Sequence, residues 1–224
     1  MPVRTILFDL DGTLADTAPD LAYALNEVLV EQGREPLPYE HIRPAVSHGA
    51  LALLRLGFGF APDDPSLPPL RQRLIDIYRA NLTRGTRLFP GMAELLETVE
   101  GRGMRWGVVT NKPGFLTEPL LAELGLRERA AAVVSGDTLS VNKPDPAPML
   151  LACTQAGSQP AQCVYVGDAE RDVLAGRNAG MTTLVAMFGY LGAEDRPHEW
   201  GADGLIGHPD EVLPWIEARF RRAV

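Results

Sequence analysis

Two aspartates one residue apart, Asp9 and Asp11, close the apolar run ILFDLD that begins at Ile6. In a strand, period-two geometry aims both in a similar direction. Carboxylates so placed repel each other unless a cation lies among them. Two more aspartates, Asp168 and Asp172, stand one helical turn apart in GDAERD. Hard oxygen donors with no His or Cys nearby suit Mg²⁺ better than zinc. Thr110 and Asn111 end the run WGVVTN, and Lys143 lies in VNKPDPAP. Beside a cation these groups supply donors for an anion, and a phosphoryl group fits best, because its transfer depends on positioning and neutralisation of spread charge. Each has a plain alternative on its own: Asn111-Lys112-Pro113 as a turn, Lys143-Pro144 as a helix-start loop, Gly167-Asp168 as a helix cap. Together on one rim they describe a metal-and-anion site.

Something must bring residues so far apart in sequence to one rim. Stretches 3–10, 105–111, 131–136, 163–168 and 182–187 read as strands, rich in Val, Ile and Leu without polar alternation, as in strands covered on both faces. Helical periods fill 115–125, 147–157, 169–180 and 209–222. This alternation predicts an α/β fold, a doubly wound parallel sheet with right-handed crossovers. In such sheets ligands bind outside the carboxyl ends of the strands, where the aspartates, Thr110 and Lys143 fall. The interval 16–88 breaks the rhythm. TAPDLAYALNEVLVEQG predicts a helix ending at Gly33, GFGFAPDDPSLPP (57–69) predicts a loop, and no convincing strand appears. The expected division is a core of 1–15 and 89–224 with a helical insertion at 16–88.

The formal net charge of the 224 residues is −8, which argues against a nucleic-acid binder working through a basic stripe. No apolar run approaches the roughly 18 residues of a membrane span. The chain enters a strand-like run at once, without a signal-like apolar core, so a soluble cytoplasmic protein is expected. Cys153 and Cys163 show no metal-ligand spacing and read as small buried thiols in a reducing compartment.

DLDGT at 9–13, VVTN at 108–111, Lys143 with KPDPAP, and GDAERD at 167–172 resemble, in order, the four motifs of the haloacid dehalogenase-like hydrolases. The resemblance implies that Asp9 is a nucleophile forming an aspartyl-phosphate, and that Asp11 acts first as acid and then as base. Thr110 and Lys143 would hold the phosphoryl group, with Asn111 in support. Mg²⁺ would be ligated by Asp9, the Asp11 backbone carbonyl and Asp168, with Asp172 bound directly or through water. The insertion resembles the helical cap of the phosphoglycolate-phosphatase-like branch, which closes over substrate and excludes water. Asp11 argues against dehalogenation, and the lack of any lysine before Lys112 argues against phosphonate hydrolysis.

Within the insertion, AVSHGALALLRLGFG (45–59) resembles the cap stretch that approaches the site. It offers Ser47, His48 and Gly49 as substrate contacts and Arg55 as a weaker one, with Arg43 and Arg34 as cationic alternatives. WGVVTNKP and the tail FGYLGAEDRPHEWGAD (188–203) are similar to the N-acetylmuramic acid 6-phosphate phosphatases of bacterial cell-wall recycling. The implied activity is Mg²⁺-dependent hydrolysis of a small phosphate ester. Phosphoglycolate hydrolysis and sugar phosphomutation are the alternatives. Oligomeric state is not legible.

Overall fold

The computed structural model describes residues 2–61 and 64–220. The chain starts with β1 (Thr5–Phe8) and a two-residue β2 (Ala15–Asp16). The helical stretch follows: α1 (Ala18–Glu31), α2 (Tyr39–Ile42), a 3₁₀ turn at Arg43–His48, α3 (Gly49–Phe58) and α4 (Leu67–Arg79). After β3 (Arg87–Leu88) come α5 (Met92–Gly101), β4 (Arg105–Val109), α6 (Gly114–Glu123), β5 (Ala132–Val134) and α7 (Ala147–Gln155). The last part holds β6 (Cys163–Gly167), α8 (Glu170–Asn178), β7 (Thr182–Ala186), β8 (Gly204–Ile206) and α9 (Val212–Phe220).

Six of these strands form one parallel sheet in the order β5-β4-β1-β6-β7-β8. Leu7 lies opposite Gly107 on one side and Tyr165 on the other. The chain winds outward from β1 to one edge, then returns to β6 and winds to the other edge. That is the doubly wound order, and its reversal leaves a crevice between the carboxyl ends of β1 and β6. Asp9 and Asp168 are the residues that follow those two ends.

Alternation along β1 sorts the core into two layers. Leu7 packs with Val109, Val134, Tyr165 and, from α7, Met149 and Ala152. Ile6 and Phe8 pack with Val108, Val166, Leu120 of α6 and Leu213 of α9. Burial on both faces explains why the strands lack polar alternation. Phe8 is wholly buried, which stabilises by about 1.5–3 kcal/mol, and truncation to Ala costs about 3–5 kcal/mol once the cavity is counted.

The helices α1, α3 and α4 pack as a unit through Leu25, Val28, Leu53, Leu54, Leu74 and Ile77, continuous with the Phe8 layer. The helix expected to end at Gly33 does so, with that glycine at φ +68°, a conformation that has no steric cost without a Cβ. The loop expected over 57–69 is shorter. Helix α3 runs through Phe58 and α4 starts at Leu67, taking Pro68 and Pro69 into its first turn. First-turn N–H groups have no helical partner, so proline is tolerated there. Pro62 and Asp63 lie outside the described residues.

Other differences are local. The expected strand 105–111 stops at Val109, which places Thr110 and Asn111 in the loop beyond the sheet. The helix expected over 209–222 begins as a 3₁₀ turn at Pro209–Glu211 before α9, and residues 221 and 222 are outside the described set. Strands β2 and β3, absent from the expected elements, pair antiparallel with Ala15 opposite Leu88 and Asp16 opposite Arg87. This ribbon stands where the chain leaves the sheet for the helices and returns. Two residues carry no readable period. Helix α5 and the three-residue β8 also fall outside the expected set. No helix among the described residues is long and apolar enough to cross a membrane.

Candidate active site

The aspartate after β1 is buried and tightly held. Asp9 Oδ1 accepts from its neighbour's N–H, Leu10 N, at 2.7 Å and meets Lys143 Nζ at 2.9 Å. The same ammonium meets Asp172 Oδ1 at 2.8 Å and donates to Val109 O and Tyr165 Oη at 2.9 Å each. Lys143 is 3% exposed, so these acceptors replace its lost water shell. Asn111 fixes the loop that carries it. Its Nδ2 donates to Lys143 O and its Oδ1 accepts from Lys143 N, both at 3.1 Å. Asn111 thus ties the loop after β4 to the loop that carries Lys143.

Asp168 accepts from Ser47 Oγ and from Tyr190 N, both at 2.9 Å. Thr13 Oγ1 donates to its other oxygen at 3.4 Å. Gly12 makes the approach possible: at φ +83°, a Cβ there would overlap the Asp168 carboxylate. Burial raises the Asp168 carboxyl to about 7, with the charges of Asp9 and Asp172 adding to it. Burial also raises Asp172, against the pull of Lys143. Asp9, Asp168 and Asp172 each offer an oxygen, all within 4.8 Å of one another.

Asp11 faces away from that cluster. It accepts from Thr17 Oγ1 at 2.6 Å, and Lys112 Nζ reaches its two oxygens at 2.9 and 3.2 Å. Lys112 lies over the Tyr78 ring of α4, 4.4 Å from the centroid. Burial works against the Lys112 charge, but Asp11 and Tyr78 outweigh it and raise the ammonium above its ordinary range. Thr110 Oγ1 accepts from Lys112 N at 3.2 Å, which leaves its own proton to donate elsewhere.

A cavity of about 450 Å³ separates this rim from the helices. The sheet side contributes Asp9, Asp11, Thr110, Asn111, Lys112 and Arg171. From the helical side come Ser47, His48 and Gly49, with Leu74, Ile75 and Tyr78. Arg171 ties the two sides by donating to Ser47 O at 2.8 Å. Neither Arg55, the weaker contact, nor the cationic alternatives Arg43 and Arg34 line the cavity. Arg43 donates to Gly189 O and Phe188 O and stacks over Tyr190. Arg34 donates to Gly57 O and Phe58 O and stacks on Phe58. Arg55 is exposed elsewhere on α3.

Residues 6–186 match the family model described as haloacid dehalogenase-like hydrolase. The chain belongs to this family. It is 41% identical to an N-acetylmuramic acid 6-phosphate phosphatase of Pseudomonas aeruginosa over 97% of this chain and 96% of the relative. It is also 41% identical to a phosphoglycolate phosphatase of Xanthomonas campestris, covering 93% and 94% of the two chains. The crystal structure of a predicted phosphoglycolate phosphatase from Haemophilus somnus superposes with a TM-score of 0.84 at 27% identity, over 95% and 97% of the two chains. The fold and the motif order thus agree with a haloacid dehalogenase-like hydrolase.

For this hydrolase the donor set fits Mg²⁺. Three buried carboxylates converge, no His or Cys joins them, and the single ammonium of Lys143 leaves them in excess. Burial first, and the Asp9 and Asp172 charges after it, keep the Asp168 carboxyl high, a cost that a bound cation would offset. The Asp11 side chain stays outside the cluster.

Four residues of the site went unread in the sequence. Lys112 is one of only two lysines in the chain, a scarcity that marked it. Tyr78 sits on an apolar helical stripe indistinguishable from core, and Arg171 hides inside GDAERD. Tyr190 donates its N–H to Asp168, while its hydroxyl accepts from Thr17 N and Ala18 N and donates to Asp16 Oδ1 at 2.6, 2.9 and 2.8 Å. Nothing in the tail's composition signals that role.

Proposed function

We propose that the protein is a cytoplasmic, Mg²⁺-dependent phosphate monoester hydrolase working through an aspartyl-phosphate on Asp9, with residues 16–88 acting as its cap. We further propose N-acetylmuramic acid 6-phosphate as its substrate, in cell-wall recycling. The observation that carries the substrate is the cavity. Its roughly 450 Å³ lies in the range of pockets that enclose whole organic ligands, and far exceeds what a two-carbon acid fills. Identity does not separate the two relatives, since both stand at 41%; space favours the larger ester.

The residues divide the chemistry. Lys143 and Leu10 N–H keep the Asp9 carboxylate from rotating, so one oxygen can bond to phosphorus in line with the departing alkoxide. Asp11 gives the alkoxide its proton. The same carboxyl, now ionised, takes a proton from the water that attacks the aspartyl-phosphate, which releases inorganic phosphate and restores Asp9. Thr110 and Lys143 donate to the phosphoryl oxygens. Thr17 and Lys112 keep Asp11 aimed. Mg²⁺ on Asp9, Asp168, Asp172 and the Asp11 carbonyl would neutralise charge on the phosphoryl group.

A kcat/KM panel with Mg²⁺ tests this, using N-acetylmuramic acid 6-phosphate, phosphoglycolate, a hexose 6-phosphate and a nucleoside monophosphate. The expected preference for the first is about 10-fold or more. Preference for phosphoglycolate overturns the substrate and spares the mechanism. Isomerised sugar phosphate in place of free phosphate identifies a mutase. Asp9→Asn should lower turnover by about 10⁴-fold or more with the fold intact, and substantial remaining activity would place the nucleophile elsewhere.

A further inference from the structure

Helix α4 presents Arg71, Leu74, Ile75 and Tyr78 to the cavity, the i, i+3, i+4, i+7 spacing of one helical face. The two ends of that face are polar and the middle is not. At the inner end the Tyr78 side chain is 1% exposed, yet its hydroxyl has no hydrogen-bond partner. A buried hydroxyl left so is destabilising until something bonds it. Burial first of all pushes Tyr78 up to about 12, so it remains a donor. At the outer end Arg71 is exposed and makes no ion pair or hydrogen bond among the described residues. Seven residues of helix, about 10 Å along the axis, separate the two.

We propose that this face of α4 reads the leaving group of the substrate. Tyr78 donates to an oxygen near the scissile ester, Leu74 and Ile75 cover an apolar middle, and Arg71 receives a carboxylate carried at the far end. The assignment rests on the phosphatase reading above and deepens it. A two-carbon acid extends only a few ångströms from the phosphate, short of the about 10 Å of helix between Tyr78 and Arg71. A sugar with an acidic ether substituent spans the distance to Arg71. Ser47, His48 and Gly49 line the same helical side and bring no lysine or arginine to it, so the cation that side offers a far carboxylate is Arg71 on α4.

The decisive comparison is N-acetylmuramic acid 6-phosphate against N-acetylglucosamine 6-phosphate, the same sugar ester without the ether substituent that carries the carboxylate. Arg71→Gln should lower the ratio of their kcat/KM values about 10-fold, mostly through KM, and Arg71→Lys should restore part of it. Tyr78→Phe should lower kcat/KM several-fold for both sugars with little change in melting temperature, because the hydroxyl it removes makes no hydrogen bond of good geometry in the free protein. An unchanged ratio in Arg71→Gln overturns the assignment even if the wild-type enzyme favours the acidic sugar. A Tyr78→Phe protein that melts lower with unaltered kinetics overturns the role of the hydroxyl. A wild-type preference for phosphoglycolate is the separate result that removes the substrate reading.

Discussion

The Ser47 hydroxyl donates to Asp168 Oδ2 at 2.9 Å, joining a residue of the helical insertion to a carboxylate of the sheet rim. The bond draws Asp168 towards its ionised form, against burial. Ser47→Ala removes it and leaves Asp168 readier to hold a proton than a cation. The Mg²⁺ concentration for half-maximal activity should rise about 10-fold, the usual effect of losing a group that orients a metal ligand. Magnesium titration of phosphate release checks this; an unaltered midpoint would mean that Ser47 only marks where the helices rest.

Asn111 and Lys143 hold each other's loops through two bonds. Asn111→Ala should cost about 1–3 kcal/mol of stability by leaving both Lys143 backbone groups without that partner. Misplacement of the ammonium by about 1 Å should also lower kcat by up to about 100-fold. Urea unfolding and steady-state kinetics read the two effects. Full kcat in the variant would show that the contacts of Nζ alone keep the lysine in place.

Tyr190 holds both sides of the joint where the helices leave the sheet. Tyr190→Phe deprives Thr17 N, Ala18 N and Asp16 of their shared partner. The expected cost is about 1–3 kcal/mol, a fall of roughly 2–12 °C in melting temperature for a chain of this size. Calorimetry measures it, and an unchanged melting temperature would refute the assignment.

The carboxyl of Asp168 couples metal binding to pH. Raised to about 7, it holds a proton in the folded metal-free protein that an unfolded chain releases near pH 4. That contribution to stability is complete below about pH 4 and is lost as pH rises to about 7. Mg²⁺ must displace the same proton. The increase in melting temperature on adding a fixed concentration of Mg²⁺ should therefore be larger at pH 8 than at pH 6. An increase that is flat across this range would argue that another group, or none, is displaced.

Much of the core was legible because its signals are local. Each strand is a short apolar run, and Asp9, Thr110 and Asp168 each directly follow one, so reading the strands located the three together. The helical insertion yielded less. Arg43 and Arg34 looked like free cations, but each is bound to backbone carbonyls and an aromatic ring. Charge type is written in the sequence, whereas the acceptor that neutralises it comes from another element. Tyr78 shows the reverse case, a residue with core periodicity whose one polar atom is left without a partner.

What the sequence determined by itself is the chemistry of the rim: Asp9, Asp11, Thr110 and Asp168 just past strand ends, with Asp172 one helical turn on and Lys143 in the loop after β5, residue types that call for a hard cation and an anion. What only the tertiary structure decided is the division of labour among them and the space above them. It turned Asp11 away from Asp9 and onto Lys112 and Thr17, gathered Asp9, Asp168 and Asp172 within 4.8 Å, and set one face of α4 across the cavity. The reason is range. Strand and turn preferences act over a few residues, while electrostatic partners and cavity walls are assembled from segments a hundred residues apart, and only packing brings these into contact.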